Sequence, residues 1–123
     1  MEDIKISSSE VFTNVITPTA KFRKVENGTL IIYLNKPATA LIIGTDRVKI
    51  QVSRNYIVFL PDNSSCSRPI HYYGKEGTTS SKIYCSPLAS IVEDGAVFEA
   101  FSYCGGIAIK RNQPINKEHE YKE

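Results

Sequence analysis

The sequence contains no tryptophan, one methionine and only three cysteines among its 123 residues. An odd number of cysteines, namely Cys66, Cys85 and Cys104, argues against a closed disulfide framework. Zinc usually needs four ligands, often in closely spaced pairs, and the sequence has no such pair. We therefore expect free thiols and predict neither a metal site nor a cofactor. The spacing does not decide whether the three cysteines meet.

The chain also lacks an excess of charge of one sign and a long apolar run. Its 15 basic and 13 acidic residues give a net charge of +2, whereas duplex-binding proteins usually concentrate far more positive charge. Charge therefore does not favour nucleic acid as a partner. The longest apolar run, Thr29 to Leu34, is far shorter than the ~20 residues that span a bilayer. We expect no membrane span, and no signal peptide is recognised, which predicts a cytoplasmic or virion location.

What the sequence does contain is a series of short β-type runs between residues 11 and 110. These are about ten runs of roughly four to eight residues, each bounded by Gly, Pro, Asn, Asp or Ser. The pattern predicts one all-β domain over residues 1–110, an antiparallel sandwich or barrel of about 8–10 short strands, with a jelly roll as one option. Residues 1–10 are predicted as an N-terminal arm and residues 111–123 as a polar C-terminal tail.

Turn residues predict how the strands connect. Asn27-Gly28 between two β runs predicts a type I′ hairpin, because both central residues tolerate positive φ. Similar hairpins are predicted around Gly44-Thr45-Asp46 and around Asp94-Gly95. Cys104-Gly105-Gly106 predicts a bulge or a tight turn. Ser86–Ser90, with proline second, is the one helix-start pattern and predicts a single helical turn.

Two predicted strands are apolar on both faces, Leu30 to Leu34 and Tyr56 to Leu60. Such strands must be covered on both sides, by a second sheet, a barrel interior or another subunit. This raises the expectation of a homo-oligomer. The side chains predicted as its interface are Leu30, Ile32, Leu34, Ile57 and Phe59.

No arrangement of residues indicates a reaction. His71 has no recognisable serine, cysteine or carboxylate partner motif, so we expect a non-enzymatic protein. The aromatic cluster His71, Tyr72 and Tyr73 lies between two polar loops and is the predicted contact for a ligand or partner. Aromatic residues of the strand from Val97 to Tyr103 could stack on bases, but residues 98–106 contain neither lysine nor arginine.

These observations favour a structural or assembly module over an enzyme. The predicted role is an oligomeric virion component, of the capsid-decoration or fibre-head type, that binds itself and a larger protein scaffold. The prediction of a virion component reflects how often small β domains without a recognisable motif occur in virions, since fold alone does not imply function. The first alternative is a ligand-binding module, for a glycan through Tyr72 and Tyr73 or for single-stranded nucleic acid through a strand face. The second is a small enzyme without a recognisable motif.

Overall fold

The computed structural model describes residues 17–75 and 79–115. The predicted arm, residues 1–10, lies outside the described residues, as do residues 116–123 of the predicted tail. Strands account for 47% of the described chain and helices for 11%, which confirms the all-β prediction. The elements, in chain order, are β1 (Thr19–Lys24), β2 (Leu30–Leu34), α1 (Lys36–Leu41), β3 (Arg47–Val52), β4 (Tyr56–Pro61), β5 (Arg68–Pro69), β6 (His71–Tyr73), β7 (Ser80–Tyr84), a 3₁₀ helix (Ser86–Ser90), β8 (Val97–Tyr103) and β9 (Gly106–Lys110).

All neighbouring strands pair antiparallel in the order β5-β3-β4-β9-β8-β1-β2-β7-β6. The two strands at the ends of this order are consecutive in the chain and are separated only by the buried Ile70. One extended segment, Arg68 to Tyr73, therefore pairs with β3 through its first half and with β7 through its second. The sheet is nearly closed into a barrel in this way.

The interior of the barrel is the hydrophobic core. Phe22 of β1 and Phe98 of β8 meet edge to face there, with ring centroids 5.4 Å apart. The five side chains predicted as a subunit interface also lie inside and are at most 1% exposed: Leu30, Ile32, Leu34, Ile57 and Phe59. A side chain buried this far offers no surface to another chain. The barrel interior is thus what covers this face of the two apolar strands.

The hairpin predicted at Asn27-Gly28 is confirmed, with β1 and β2 in register on either side of it and Gly28 at φ +88°. The hairpin predicted at Gly44 is wrong, because the preceding residues form α1 instead of a strand. Asn35 caps this helix: its side-chain oxygen accepts a hydrogen bond from the Ala38 N–H at 3.1 Å. Pro37 stands at its start, where the missing N–H costs nothing.

The third predicted hairpin is also wrong, although its turn exists. Ser90 ends the predicted helical turn at Ser86–Ser90, and residues 91–93 form no strand. Gly95 takes φ +86° and leads directly into β8, which pairs with β1 and β9. The tight turn predicted at Cys104-Gly105-Gly106 is confirmed. There Cys104 and Gly105 both have positive φ, at 48° and 83°.

Gly106 is the glycine on which the packing of β9 against β4 depends. A Cβ at this position would collide with the carbonyl oxygen of Phe59 and would lie 3.2 Å from the Cα of Leu60. Both obstacles are backbone in the neighbouring strand, so β9 would have to move away. We expect Gly106→Ala to lower the free energy of unfolding by about 3 kcal/mol or more, in the range reached by overpacking and strain.

Gly44→Ala is the matched control. Gly44 has φ +93° but nothing within 4 Å of its added Cβ, so alanine there meets strain without collision and should cost only about 1–2 kcal/mol. Chemical denaturation of the two variants beside the parent protein measures the difference. Equal destabilisation by both substitutions would contradict the collision at Phe59.

Candidate functional site

One side of the barrel carries cations and aromatic rings in alternation. Outward-facing side chains of β6, β7, β2 and β1 form a cross-strand row, because His71 lies opposite Lys82, Lys82 opposite Tyr33, and Tyr33 opposite Lys21. A second row places Tyr84 beside Ile31 and Ile31 beside Arg23. We call this surface the cationic face; its residues are Lys21, Arg23, Ile31, Tyr33, His71, Tyr73, Lys82 and Tyr84.

Contacts between its side chains hold the β6–β7 part of this face together. The Lys82 ammonium lies 5.8 Å from the centre of the Tyr73 ring and 5.6 Å from that of Tyr84, within the range of cation–π attraction. The His71 ring packs against Tyr84 at 5.3 Å between centroids. Tyr73 and Tyr84 nevertheless remain 45% and 38% exposed. A flat ligand can therefore still reach both rings.

Asp94 limits what Arg23 adds to the cationic face. Its carboxylate lies 3.5 Å from Nε of Arg23 and accepts a hydrogen bond from the Lys24 N–H at 2.8 Å. That backbone hydrogen bond, aided by the nearby Arg23 charge, lowers the pKa of Asp94 below its ordinary value. Asp94 thus stays ionised at neutral pH and offsets part of the Arg23 charge. Lys21 and Lys82 are the cations that define this face.

The predicted contact cluster splits into two roles. His71 and Tyr73 are exposed and belong to the cationic face. Tyr72 points the opposite way, and its hydroxyl donates to the carbonyl oxygens of Thr45 at 2.6 Å and Ile42 at 2.9 Å. Burial raises the pKa of Tyr72 above its ordinary value. Tyr72 therefore fastens β6 to the loop after α1 and does not belong to the cationic face.

The opposite side of the barrel has a groove across β3, β4, β9 and β8 with a volume of about 790 Å³. A cross-strand row forms its floor, because Gln51 lies opposite Val58, Val58 opposite Ala108, and Ala108 opposite Phe101. We call it the aromatic groove; its lining residues are Gln51, Val52, Ser53, Tyr56, Val58, Phe101, Tyr103 and Ala108.

The three cysteines do not form one site. All are free; Cys66 and Cys85 line the same 400 Å³ pocket beside Arg68, whereas Cys104 lies in the β8–β9 turn. Burial raises the pKa of the Cys85 thiol, and the Arg68 charge only partly opposes that effect. A protonated thiol is a poor nucleophile. Within residues 17–75 and 79–115, no group of three His, Cys, Asp or Glu side chains is placed to hold a metal ion.

Comparison of the chain with protein-family models, with curated proteins and with solved structures finds no match. Neither helix in the described part of the chain is long and apolar enough to cross a membrane. Inference about function therefore depends on the chemistry of the two barrel faces.

The sequence contained a signal for the cationic face that depends on strand pairing. Lys21 and Arg23 alternate with the buried Ala20 and Phe22 along β1, so they share one outward face. Lys82 has the same place in β7, between the buried Ser81 and Ile83. Only the order β1-β2-β7 brings these strands to either side of Tyr33, and that order depends on β2–β7 contacts between residues about 50 apart in the chain.

The tether role of Tyr72 leads to a prediction. Tyr72→Phe keeps the ring but removes the hydroxyl of this side chain, so the Thr45 carbonyl loses the hydrogen bond that this hydroxyl donates. We expect the free energy of unfolding to fall by about 1 kcal/mol. Tyr73→Phe removes the hydroxyl of the exposed neighbouring residue and should change the free energy of unfolding by less than about 0.5 kcal/mol. Denaturant unfolding compares the two variants, and equal effects would contradict the tether.

Proposed function

We propose that the protein binds single-stranded nucleic acid on its cationic face. The observation that carries this proposal is the row His71–Lys82–Tyr33–Lys21, in which basic and aromatic side chains alternate across four strands. Proteins that bind single strands combine cations that contact the phosphates with aromatic rings on which bases stack. Both kinds of group stand side by side in this row.

The spacing of the row suits this partner. Neighbouring strands lie about 4.8 Å apart, so Lys82 and Lys21 are about 10 Å apart at their backbones, with Tyr33 between them. A base on Tyr33 would leave the phosphates on its two sides within reach of the two long lysine side chains. The exposed rings of Tyr73 and Tyr84 offer further stacking surface on the side of Lys82.

The distribution of charge over the barrel supports the proposal better than the net charge of the chain does. The nine strands of the described chain contain one acidic residue, Glu99, and eight basic residues: Lys21, Arg23, Lys24, Arg47, Lys49, Arg68, Lys82 and Lys110. Most of the described carboxylates lie in the connections between strands, and two of them, Asp62 and Asp94, accept hydrogen bonds there from Ser64 and from the Lys24 N–H. The wall of the barrel is therefore basic although the net charge is only +2.

Single strands fit this face better than duplexes do. In a duplex the faces of the bases are stacked on one another and cannot reach exposed tyrosine rings. A duplex would have to bind through its phosphates alone, and Lys21, Lys82 and a partly neutralised Arg23 are few cations for that. The exposed rings thus favour a strand whose bases are unpaired.

Fluorescence anisotropy with labelled oligothymidine and oligouridine of about 16 nucleotides tests the proposal. We expect binding to weaken with salt, with log K falling by about 0.7 per unit of log salt for each phosphate contacted. Lys82→Ala and Lys21→Ala should each reduce that slope by about 0.7. Tyr84→Ala should weaken binding by about 1–3 kcal/mol and leave the slope unchanged.

Two substitutions on the other side of the barrel serve as controls. Lys110→Ala removes an exposed cation of β9, and Tyr103→Ala removes an aromatic side chain that is 46% exposed, similar to Tyr73 at 45%. Neither should change the affinity or the salt slope. The proposal fails if the parent protein binds neither oligonucleotide at low salt, or if the control variants weaken binding as much as the variants of the cationic face.

The assembly role expected from the sequence remains a second proposal, and a non-enzymatic role remains a prediction. One observation favours assembly: Leu41, the last residue of α1, and Ile43, which follows shortly after it, are 37% and 61% exposed. Exposed apolar side chains of this size at one place are candidates for a contact with another subunit. The narrower proposal of a virion component on a larger scaffold has the sequence pattern as its only support.

Light scattering over a concentration series, with reducing agent present, tests the assembly proposal. A defined oligomer that Ile43→Asp converts to monomer would support it, because a charge at a buried contact is costly. Ile91→Asp is the control, since Ile91 is another exposed isoleucine, at 39%, and it follows the 3₁₀ helix. A monomer at every concentration would argue against self-assembly.

A further inference from the structure

The aromatic groove has a chemistry unlike that of the cationic face. Of the described residues that line it, none carries a charge: three are aromatic, three are small or branched apolar residues, and Gln51 and Ser53 are polar and neutral. Its volume of about 790 Å³ lies within the range of ligand sites, which are usually lined by apolar and aromatic groups with a few polar ones. From this lining we propose that the groove is a binding site for a neutral oligosaccharide.

The floor of the groove is the first reason. Ala108 is only 1% exposed although it faces outward from β9, because the rings of Tyr56 and Phe101 approach each other above it, with centroids 6.3 Å apart and planes at 78°. Val58 continues this floor toward Gln51. The exposed surface above this floor is therefore an aromatic platform, because Tyr56 and Phe101 are each 38% exposed and Tyr103 is 46% exposed. The apolar C–H face of a pyranose ring can lie on such a platform.

The polar groups around the platform are the second reason. A sugar presents hydroxyl groups at its edge, and each needs a hydrogen-bond partner when water leaves. Gln51 in β3 offers both an amide donor and an acceptor, and Tyr56 in β4 and Tyr103 in β8 carry hydroxyls. The Ser53 hydroxyl already accepts a hydrogen bond from the Tyr56 backbone N–H at 3.1 Å. Gln51 and the two tyrosines are therefore the groups that would orient the ligand.

The lining also favours a neutral oligosaccharide over other ligands that bind to aromatic side chains. Nucleic acid needs cations beside the rings, and the lining has none. A proline-rich peptide inserts its rings into slots between aromatic side chains. Here Tyr56 and Phe101 touch edge to face and leave no slot between them. At the margin of the groove, Arg111 donates a hydrogen bond to the Ser53 carbonyl at 2.8 Å, and Lys110 and Glu99, which are of opposite sign, line a neighbouring depression of about 270 Å³.

Isothermal titration with cellohexaose, maltohexaose, xylohexaose and chitohexaose tests the inference. We expect at least one of these to bind with a dissociation constant of about 1 mM or lower. Tyr103→Ala and Gln51→Ala should each weaken that binding by about tenfold, and Phe101→Ala by more. Gln51 and Tyr103 are exposed, so their variants should keep the fold even if Phe101→Ala does not. Tyr84→Ala, on the cationic face, is the matched control and should bind as the parent does.

Each other outcome overturns the inference. It fails if none of the four sugars binds at about 10 mM, or if Tyr84→Ala weakens the binding as much as Tyr103→Ala does. It fails equally if the groove variants abolish binding of an oligoproline peptide or of a second copy of the chain while no sugar binds. Because nucleic acid is assigned to the opposite side of the barrel, either proposal can fail while the other holds.

Discussion

Closure of the sheet by the segment from Arg68 to Tyr73 is the constraint on which the rest of the structure depends. This segment pairs with β3 before Ile70 and with β7 after it, so it joins the two ends of a sheet that would otherwise have two open edges. The Ile70 N–H donates to the Asp46 carbonyl at 2.9 Å, and Arg68 donates to the Tyr84 carbonyl at 3.3 Å across the same seam. Tyr72 adds its tether two residues later. Without this closure the apolar interior would be exposed along one side.

A closed barrel has one inside and one outside, and the period of two along each strand then assigns every side chain to one of them. Along β7, Ser81 and Ile83 face the core while Lys82 and Tyr84 face solvent. The side chains that face outward are not constrained by the packing of the core, so their composition can differ from one side of the barrel to the other. Basic and aromatic residues stand side by side on β1, β2, β6 and β7, whereas the residues of β3, β4, β8 and β9 that line the aromatic groove are uncharged. The packing of the core determines where the two outer faces lie, and the side chains on each face determine what that face can bind.

Short-range signals in the sequence predicted short-range structure. The Asn27-Gly28 turn and the tight turn at Cys104 form as expected because positive φ is a local requirement of those residues. The helix α1 was missed although Asn35 and Pro37 form a start signal, because apolar residues 40–43 also fit a strand. The two doubly apolar strands were expected to be covered on both faces, but the barrel interior covers only one face of each; the other face, with Tyr33 and Val58, points outward and is only partly buried. A sequence does not distinguish a barrel interior from a subunit interface, since both are apolar, and the five predicted interface side chains lie in the interior.

The same distinction between local and long-range information explains the candidate sites. The most aromatic strand, β8, contains no lysine or arginine. On the cationic face basic and aromatic residues alternate across strands, so that each strand contributes two members and the full row appears only when four strands are placed side by side. Net charge was equally uninformative, because among the residues that the structure describes the acidic ones concentrate in the connections while the basic ones concentrate in the strands. For an antiparallel barrel, the charge of each face is therefore the quantity that indicates a partner, and it can be read only once the strand order is known.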